Sequence, residues 1–174
     1  MTVVTIPYII RLMIEIAPRL FIAKEAEIKD LTPMEYSLVS LASTFHYQMH
    51  GKKKGEFAKD DPCYVMCSHG NQIMSLNWVD GAAYLYDYQG KGVENIQKIL
   101  TWIEYQLDHN RKVIIMCNQG LSRSPTIALL YMAKVLKSLN NNSFPSAAKD
   151  FKELYPEYKP GGIADFISTH WSEF

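Results

Sequence analysis

The stretch that most constrains the fold is Val113-Ile114-Ile115-Met116 running into Cys117-Asn118-Gln119-Gly120-Leu121-Ser122-Arg123-Ser124-Pro125. Four consecutive apolar residues read as a short strand buried on both faces, the central kind of a parallel sheet. From Pro125 to Leu139 the chain is apolar nearly all round, so a helix packed on most sides should follow. A central strand feeding a buried helix through a short loop points to an α/β fold, a central twisted mixed sheet flanked by helices. No internal repeat or long linker divides the 174 residues, so one domain is expected over residues 1–174.

The loop carries chemistry of its own. Between a strand end and a helix start, backbone N–H groups can curl inward as an anion nest, and the helix N-terminus adds a favourable dipole. Gly120 permits a backbone angle other residues resist. Pro125 opens the helix without losing a needed donor. Five residues separate Cys117 from Arg123. Helix N-termini and nearby cations can lower a thiol from about 8.5 to well below neutrality, so Cys117 is expected to act as a thiolate nucleophile. Arg123 offers a planar, two-pronged donor set matching two phosphoryl oxygens. Asn118, Gln119, Gly120, Leu121 and Ser122 complete the expected phosphate cradle.

Phosphoryl transfer needs mainly positioning and charge stabilisation. A cysteinyl-phosphate would form and later be hydrolysed, with no metal and no cofactor. The Ser124 hydroxyl can stabilise the sulfur as a leaving group, and it can also cap the helix. Gln119 either orients the hydrolytic water or simply faces solvent.

Cys-x5-Arg followed by Ser resembles the signature of the protein tyrosine phosphatase superfamily. Cys117 to Pro125, with the whole-length layout, most resembles its dual-specificity branch. Ile16 to Ile22 resembles that branch's opening strands, and the helices before and after the loop fall where the family has them. The resemblance runs from about Ile14 onward and is strongest from Leu76 to Leu136. It implies hydrolysis of phosphate monoesters, phosphotyrosine in proteins first, with phosphoserine and phosphothreonine as further candidates. RNA 5′-phosphates or phosphoinositides are rival substrates. A phosphate-binding pseudophosphatase is a rival of another class.

The chain departs from the family in one place: the histidine usual before the cysteine is Met116, which cannot donate a hydrogen bond. A less acidic thiol and slower turnover are expected. The family also implies an aspartate as general acid on a loop ahead of the signature. Asp80 follows the strand ending Leu76-Asn77-Trp78-Val79, and a strand end favours it. Asp87 lies thirty residues before Cys117, close to the family's usual separation. Either could be a turn residue, and Asp80-Gly81 is a standard turn pair.

Other signals are weaker. Lys plus Arg equals Asp plus Glu at 18 each, so charge gives no case for a nucleic-acid or membrane partner. Lys52-Lys53-Lys54 sits in a polar stretch, Gly51 to Asp61, that reads as a solvated loop. The apolar Val3–Ile22 stretch is interrupted by Pro7, Arg11, Glu15, Pro18 and Arg19, too often for a spanning helix. A soluble, cytoplasmic protein is expected. Three cysteines are too few for a disulfide scaffold and fit a reducing compartment. Cys63-x3-Cys67 with His69 suggests a metal site but lacks a clear fourth ligand, and the strand-like run favours a core role. Either thiol could pair with Cys117 on oxidation, given proximity. His46, His50, His109 and His170 show no catalytic spacing.

Remaining elements follow from periodicity. Ile10 to Ile16 alternates as a strand, and Leu20 to Ile22 forms another. Thr32-Pro33-Met34-Glu35 makes a helix start, while Tyr36 to Leu41 also alternates like a strand. Strands are expected near Cys63–Cys67 and Gln72–Val79. Val93, Ile96, Leu100, Ile103 and Leu107 repeat at helical spacing. Two more helices are expected around Ser146–Tyr155 and Gly162–Trp171.

Overall fold

A computed structural model describes residues 13–28 and 36–174. The expected helix start at Thr32–Glu35, and the Ile10–Leu12 part of the first strand, lie outside the described residues. Among the described residues six strands form one sheet: β1 (Ile14–Ala17), β2 (Leu20–Lys24), β3 (Tyr36–Ser40), β4 (Met66–His69), β5 (Ile73–Leu76) and β6 (Lys112–Cys117). Their order is β1-β2-β6-β3-β5-β4. The continuously apolar β6 takes the interior place its sequence implies, parallel to β2 on one side and β3 on the other. The edge strands β1 and β4 run antiparallel to their neighbours.

Alternation along β6 sorts its side chains between two cores. Val113, Ile115 and Cys117 belong to the larger core, built with α2 (Gly92–Asp108), α3 (Arg123–Lys134), α4 (Phe144–Leu154) and α5 (Gly162–Thr169). Ile114 and Met116 point the other way, into a smaller core with Phe21, Ala23, Tyr36 and Ala42, against which Phe45 packs. Phe45 lies on a short helix, α1 (Ser43–Met49), which the sequence pattern did not reveal. The Val93–Leu107 repeat is the buried stripe of α2. Ser143 caps α4 by accepting from Ser146 N at 3.3 Å.

Three expectations need correction. The helix after the loop starts at Arg123 and ends at Lys134, short of Leu139. Pro125 is therefore its third residue, where a missing N–H is still one of the helix's unpaired first four. β4 starts at Met66, so Cys63 lies in the turn before it. Cys63 and Cys67 are not free core thiols: both are half-buried and bonded to each other, with Cα atoms 4.9 Å apart. That leaves Cys117 as the free cysteine. Among the described residues no helix is long and apolar enough to cross a membrane.

Candidate active site

Cys117 ends β6 and Arg123 starts α3, so the loop between them is anchored at both ends by buried elements. Cys117 is buried, and its Sγ lies 3.1 Å from the Ser124 Oγ. Ser124 sits inside the first helical turn rather than at its cap, so its hydroxyl is available to the sulfur. Gly120 has φ +66°, the left-handed backbone that its lack of Cβ permits, and a Cβ there would meet the Lys24 side chain at 3.2 Å.

Arg123 is also buried. Its Nη1 donates to Leu41 O at 2.6 Å and Trp78 O at 2.7 Å, just beyond the ends of β3 and β5. Its Nη2 donates to Asn118 Oδ1 at 2.7 Å. Its Nε is buried with no partner, as is Ser122 Oγ in the same loop. Arg123 Nε and Ser122 Oγ are thus two neighbouring buried polar atoms without a partner at the junction of the loop and α3, where buried polar groups ordinarily find one.

Several residues outside the loop fix its shape, and no sequence pattern marks them. Asn118 Nδ2 donates to the Glu25 carboxylate and, at 3.0 Å, to Thr44 Oγ1. Asn118 therefore braces the loop against the turn that follows β2 and against α1. The Tyr155 hydroxyl donates to Gly120 O at 2.8 Å, and Lys159 N donates to Leu121 O at 2.8 Å. These bonds hold two loop carbonyls. Gln119 is exposed. Burial pushes the Tyr155 hydroxyl up to about 12, with Glu157 and Cys117 adding to the effect. Met116 faces away from Cys117, with Ser40 Oγ 3.9 Å from its sulfur.

The two aspartates are placed differently. Asp87 Oδ1 accepts from Gly92 N at 3.0 Å, tying the first turn of α2. β5 ends at Leu76, not at Val79 as expected, so Asp80 does not directly follow a strand; it is exposed in the loop beyond β5, against the start of α5. A Cβ on Gly161 would stand 3.5 Å from Asp80 Oδ1 and 2.7 Å from Ser122 Oγ, so this glycine sits between the aspartate and the loop. Tyr86 lies beneath, its hydroxyl donating to Val79 O at 3.0 Å. Burial pushes that hydroxyl up to about 12, with Arg123 opposing the shift and the Asp80 and Cys117 charges reinforcing it.

No family model matches the chain, and no curated protein matches it. Solved structures do, and they place the chain in the fold of the dual-specificity and tyrosine phosphatases. DUSP15 is similar with a TM-score of 0.61 at 13% identity, over 91% of this chain and 86% of that one. A leucine rich repeat and phosphatase domain containing protein from Entamoeba histolytica is similar at 0.60 and 14% identity, over 92% and 91%. A human tyrosine phosphatase-like serine/threonine/tyrosine-interacting protein is similar at 0.59 and 14% identity, over 92% and 96%.

Proposed function

We propose that the chain works as one phosphatase domain that hydrolyses phosphate monoesters through Cys117, with phosphotyrosine in proteins as its first substrate and phosphoserine or phosphothreonine as further ones. The observation that carries this reading is the buried Arg123 guanidinium, pinned by three hydrogen bonds with Nε still unpartnered, in the same short loop as a buried thiol. The Arg123 Nε–Nη2 edge and the loop N–H groups receive the phosphoryl oxygens. The Cys117 thiolate attacks phosphorus and the P–O bond to the leaving group breaks. Asp80 gives that oxygen a proton, then takes one from the water that cleaves the cysteinyl-phosphate. The Ser124 hydroxyl stabilises the departing sulfur.

Asp80 is preferred over Asp87 as the acid, because the Asp87 carboxylate is occupied at α2 while Asp80 stands beside the loop. A protein substrate is supported by the apolar rim around Asp80: Val79, Tyr84 and Leu85 are all exposed. Beside Trp78 and Val79 opens a groove of about 230 Å³, lined in part by Tyr47, Tyr64 and Tyr88.

The test is hydrolysis of an aryl phosphate across pH by the wild type, Cys117→Ser, Asp80→Asn and Asp87→Asn. Turnover by wild type and none by Cys117→Ser is expected. Asp80→Asn should lower kcat by roughly 10²–10⁴ for a poor leaving group, the usual contribution of a general acid, and much less for a good one. A wild type that binds vanadate but never turns over would replace the enzyme reading with a binding module.

A further inference from the structure

Away from the phosphate loop, ligating side chains concentrate where the end of α1, the loop after it and β4 meet. His50 closes α1, Cys63 lies in the last turn of the loop, and Cys67 and His69 belong to β4. One ligand atom each from His50, Cys63 and Cys67 lies within 4.8 Å of the others. A tetrahedral zinc site with Zn–S of about 2.3 Å and Zn–N of about 2.0–2.1 Å has ligand–ligand edges of roughly 3.3–3.8 Å, so small adjustments close these three around an ion. The Cys-x3-Cys spacing falls within the range such sites use.

Two further observations point to a ligand here. His50 Nε2 is buried without a hydrogen-bond partner, although the ring itself is only half-buried. His69 is two residues beyond Cys67 on a strand, which puts both side chains on one face. The His69 ring stands 4.9 Å from that of His50, with Nε2 hydrogen-bonded to Ser75 Oγ at 2.8 Å; its nitrogens lie outside the close group formed by the other three, so Nδ1 reaches a metal only if the ring turns inward as the site closes. The surroundings also hold Cys63 in place. His46 Nε2 lies 2.8 Å from the Cys63 carbonyl, His46 Nδ1 lies 2.8 Å from Ser75 Oγ, and Cys63 N donates to Asp61 Oδ1 at 2.8 Å. Outer contacts of this kind orient ligands in metal sites.

We propose that His50, Cys63, Cys67 and His69 form a structural site for a zinc-class divalent cation. The two sulfurs are bonded to each other in this structure, so the metal form requires reduction. A dithiol reductant gives the Cys63–Cys67 bond two electrons and two protons and leaves as its own disulfide. The cation then displaces the two thiol protons and binds two thiolates and two neutral imidazoles. The site is closed and has no free position for substrate. Its effect is mechanical: it clips the end of α1 and the 51–65 loop to the edge strand β4. Tyr64 and Lys54 of that loop line the groove beside Trp78, so the clip also sets one wall of that groove.

The full chain, without a histidine tag, tests this after reduction and exchange into Co²⁺ or Zn²⁺. The reduced wild type should hold about one metal per chain, and Co²⁺ should give a sulfur-to-cobalt charge-transfer band with intense tetrahedral ligand-field bands. Zinc should raise its Tm, and a chelator should reverse the rise. Cys117→Ser should keep the band. Cys63→Ser/Cys67→Ser should lose it, and His50→Ala should weaken it, in protein whose far-ultraviolet circular dichroism is unchanged. His69→Ala should shift the ligand-field bands. A reduced wild type with neither bound metal nor charge-transfer band overturns the site, as does a band that survives in the double serine variant. Unchanged ligand-field bands in His69→Ala overturn the fourth assignment. None of these readouts depends on turnover, so they stand or fall apart from the phosphatase reading.

Discussion

Arg123 makes two kinds of contact, and a substitution can separate them. Its Nη1 and Nη2 tie β3, β5 and Asn118 together, while Nε is left over. Arg123→Lys keeps the charge but gives up the planar fork. Expected is a fall of roughly 10²–10³ in kcat, the usual cost of removing a transition-state oxyanion donor, together with weaker vanadate binding and a lower Tm. Steady-state kinetics beside a melting curve checks both parts, and wild-type kcat in Arg123→Lys would contradict the assigned role. At this scale the sequence was informative where chemistry is contiguous. Cys117, Gly120, Arg123 and Ser124 lie within eight residues, so spacing alone brought them together. In the sequence only a strand-end position favours Asp80 over Asp87; the contacts that separate them are the hydrogen bond Asp87 accepts from Gly92 N and the nearness of Gly161 to Asp80. Asn118 was readable as a loop member but not as a brace, since Glu25 and Thr44 are distant in sequence.

At the scale of elements, the start of α5 locates the strand-end loop that carries Asp80. A Cβ on Gly162 would stand 1.9 Å from Gly81 O and 2.7 Å from Ala82 C, both backbone atoms that cannot swing aside. Gly162→Ala must therefore push residues 81–82 away from α5. Overpacking of this kind costs about 1–3 kcal/mol, so a lower Tm is expected. Because Asp80 moves with Gly81, kcat should fall more for poor leaving groups than for activated ones, an effect checked by a leaving-group series. A variant that loses stability while keeping the wild-type leaving-group dependence would show that α5 does not position Asp80 for the proposed proton transfer. Periodicity read α2 well, because its buried stripe repeats over four turns. It missed α1, whose seven residues bury only His46 and are too short to show a repeat. It also placed Cys63 in a strand, because an apolar-looking run cannot reveal the turn at Pro62 and Cys63.

For the molecule as a whole, the sequence showed that β6 is central but not which strands flank it. The order β1-β2-β6-β3-β5-β4 is set by crossovers between distant segments, which no local pattern encodes. The larger core that results holds four tyrosines almost fully: Tyr86, Tyr131, Tyr155 and Tyr158. Burial pushes each of these hydroxyls up to about 12, reinforced at Tyr131 by Glu104 and Asp108, and opposed at Tyr158 by the hydrogen bond with Thr126. Phenols in an unfolded chain ionise near 10. Below pH 10 both states are neutral at these positions, and their stabilising contribution is complete. As pH rises from about 10 through 12, the unfolded chain loses these protons and the folded one keeps them, so stability is lost over that window. Four such groups acting together make alkaline unfolding steep. In a titration followed by phenolate absorbance and far-ultraviolet circular dichroism, one cooperative loss of structure should coincide with ionisation of these four of the eleven tyrosines. If all eleven ionised while the dichroism stayed native, the four hydroxyls would have to be reached by water within the folded state, and the tightly closed core around α3 would be wrong.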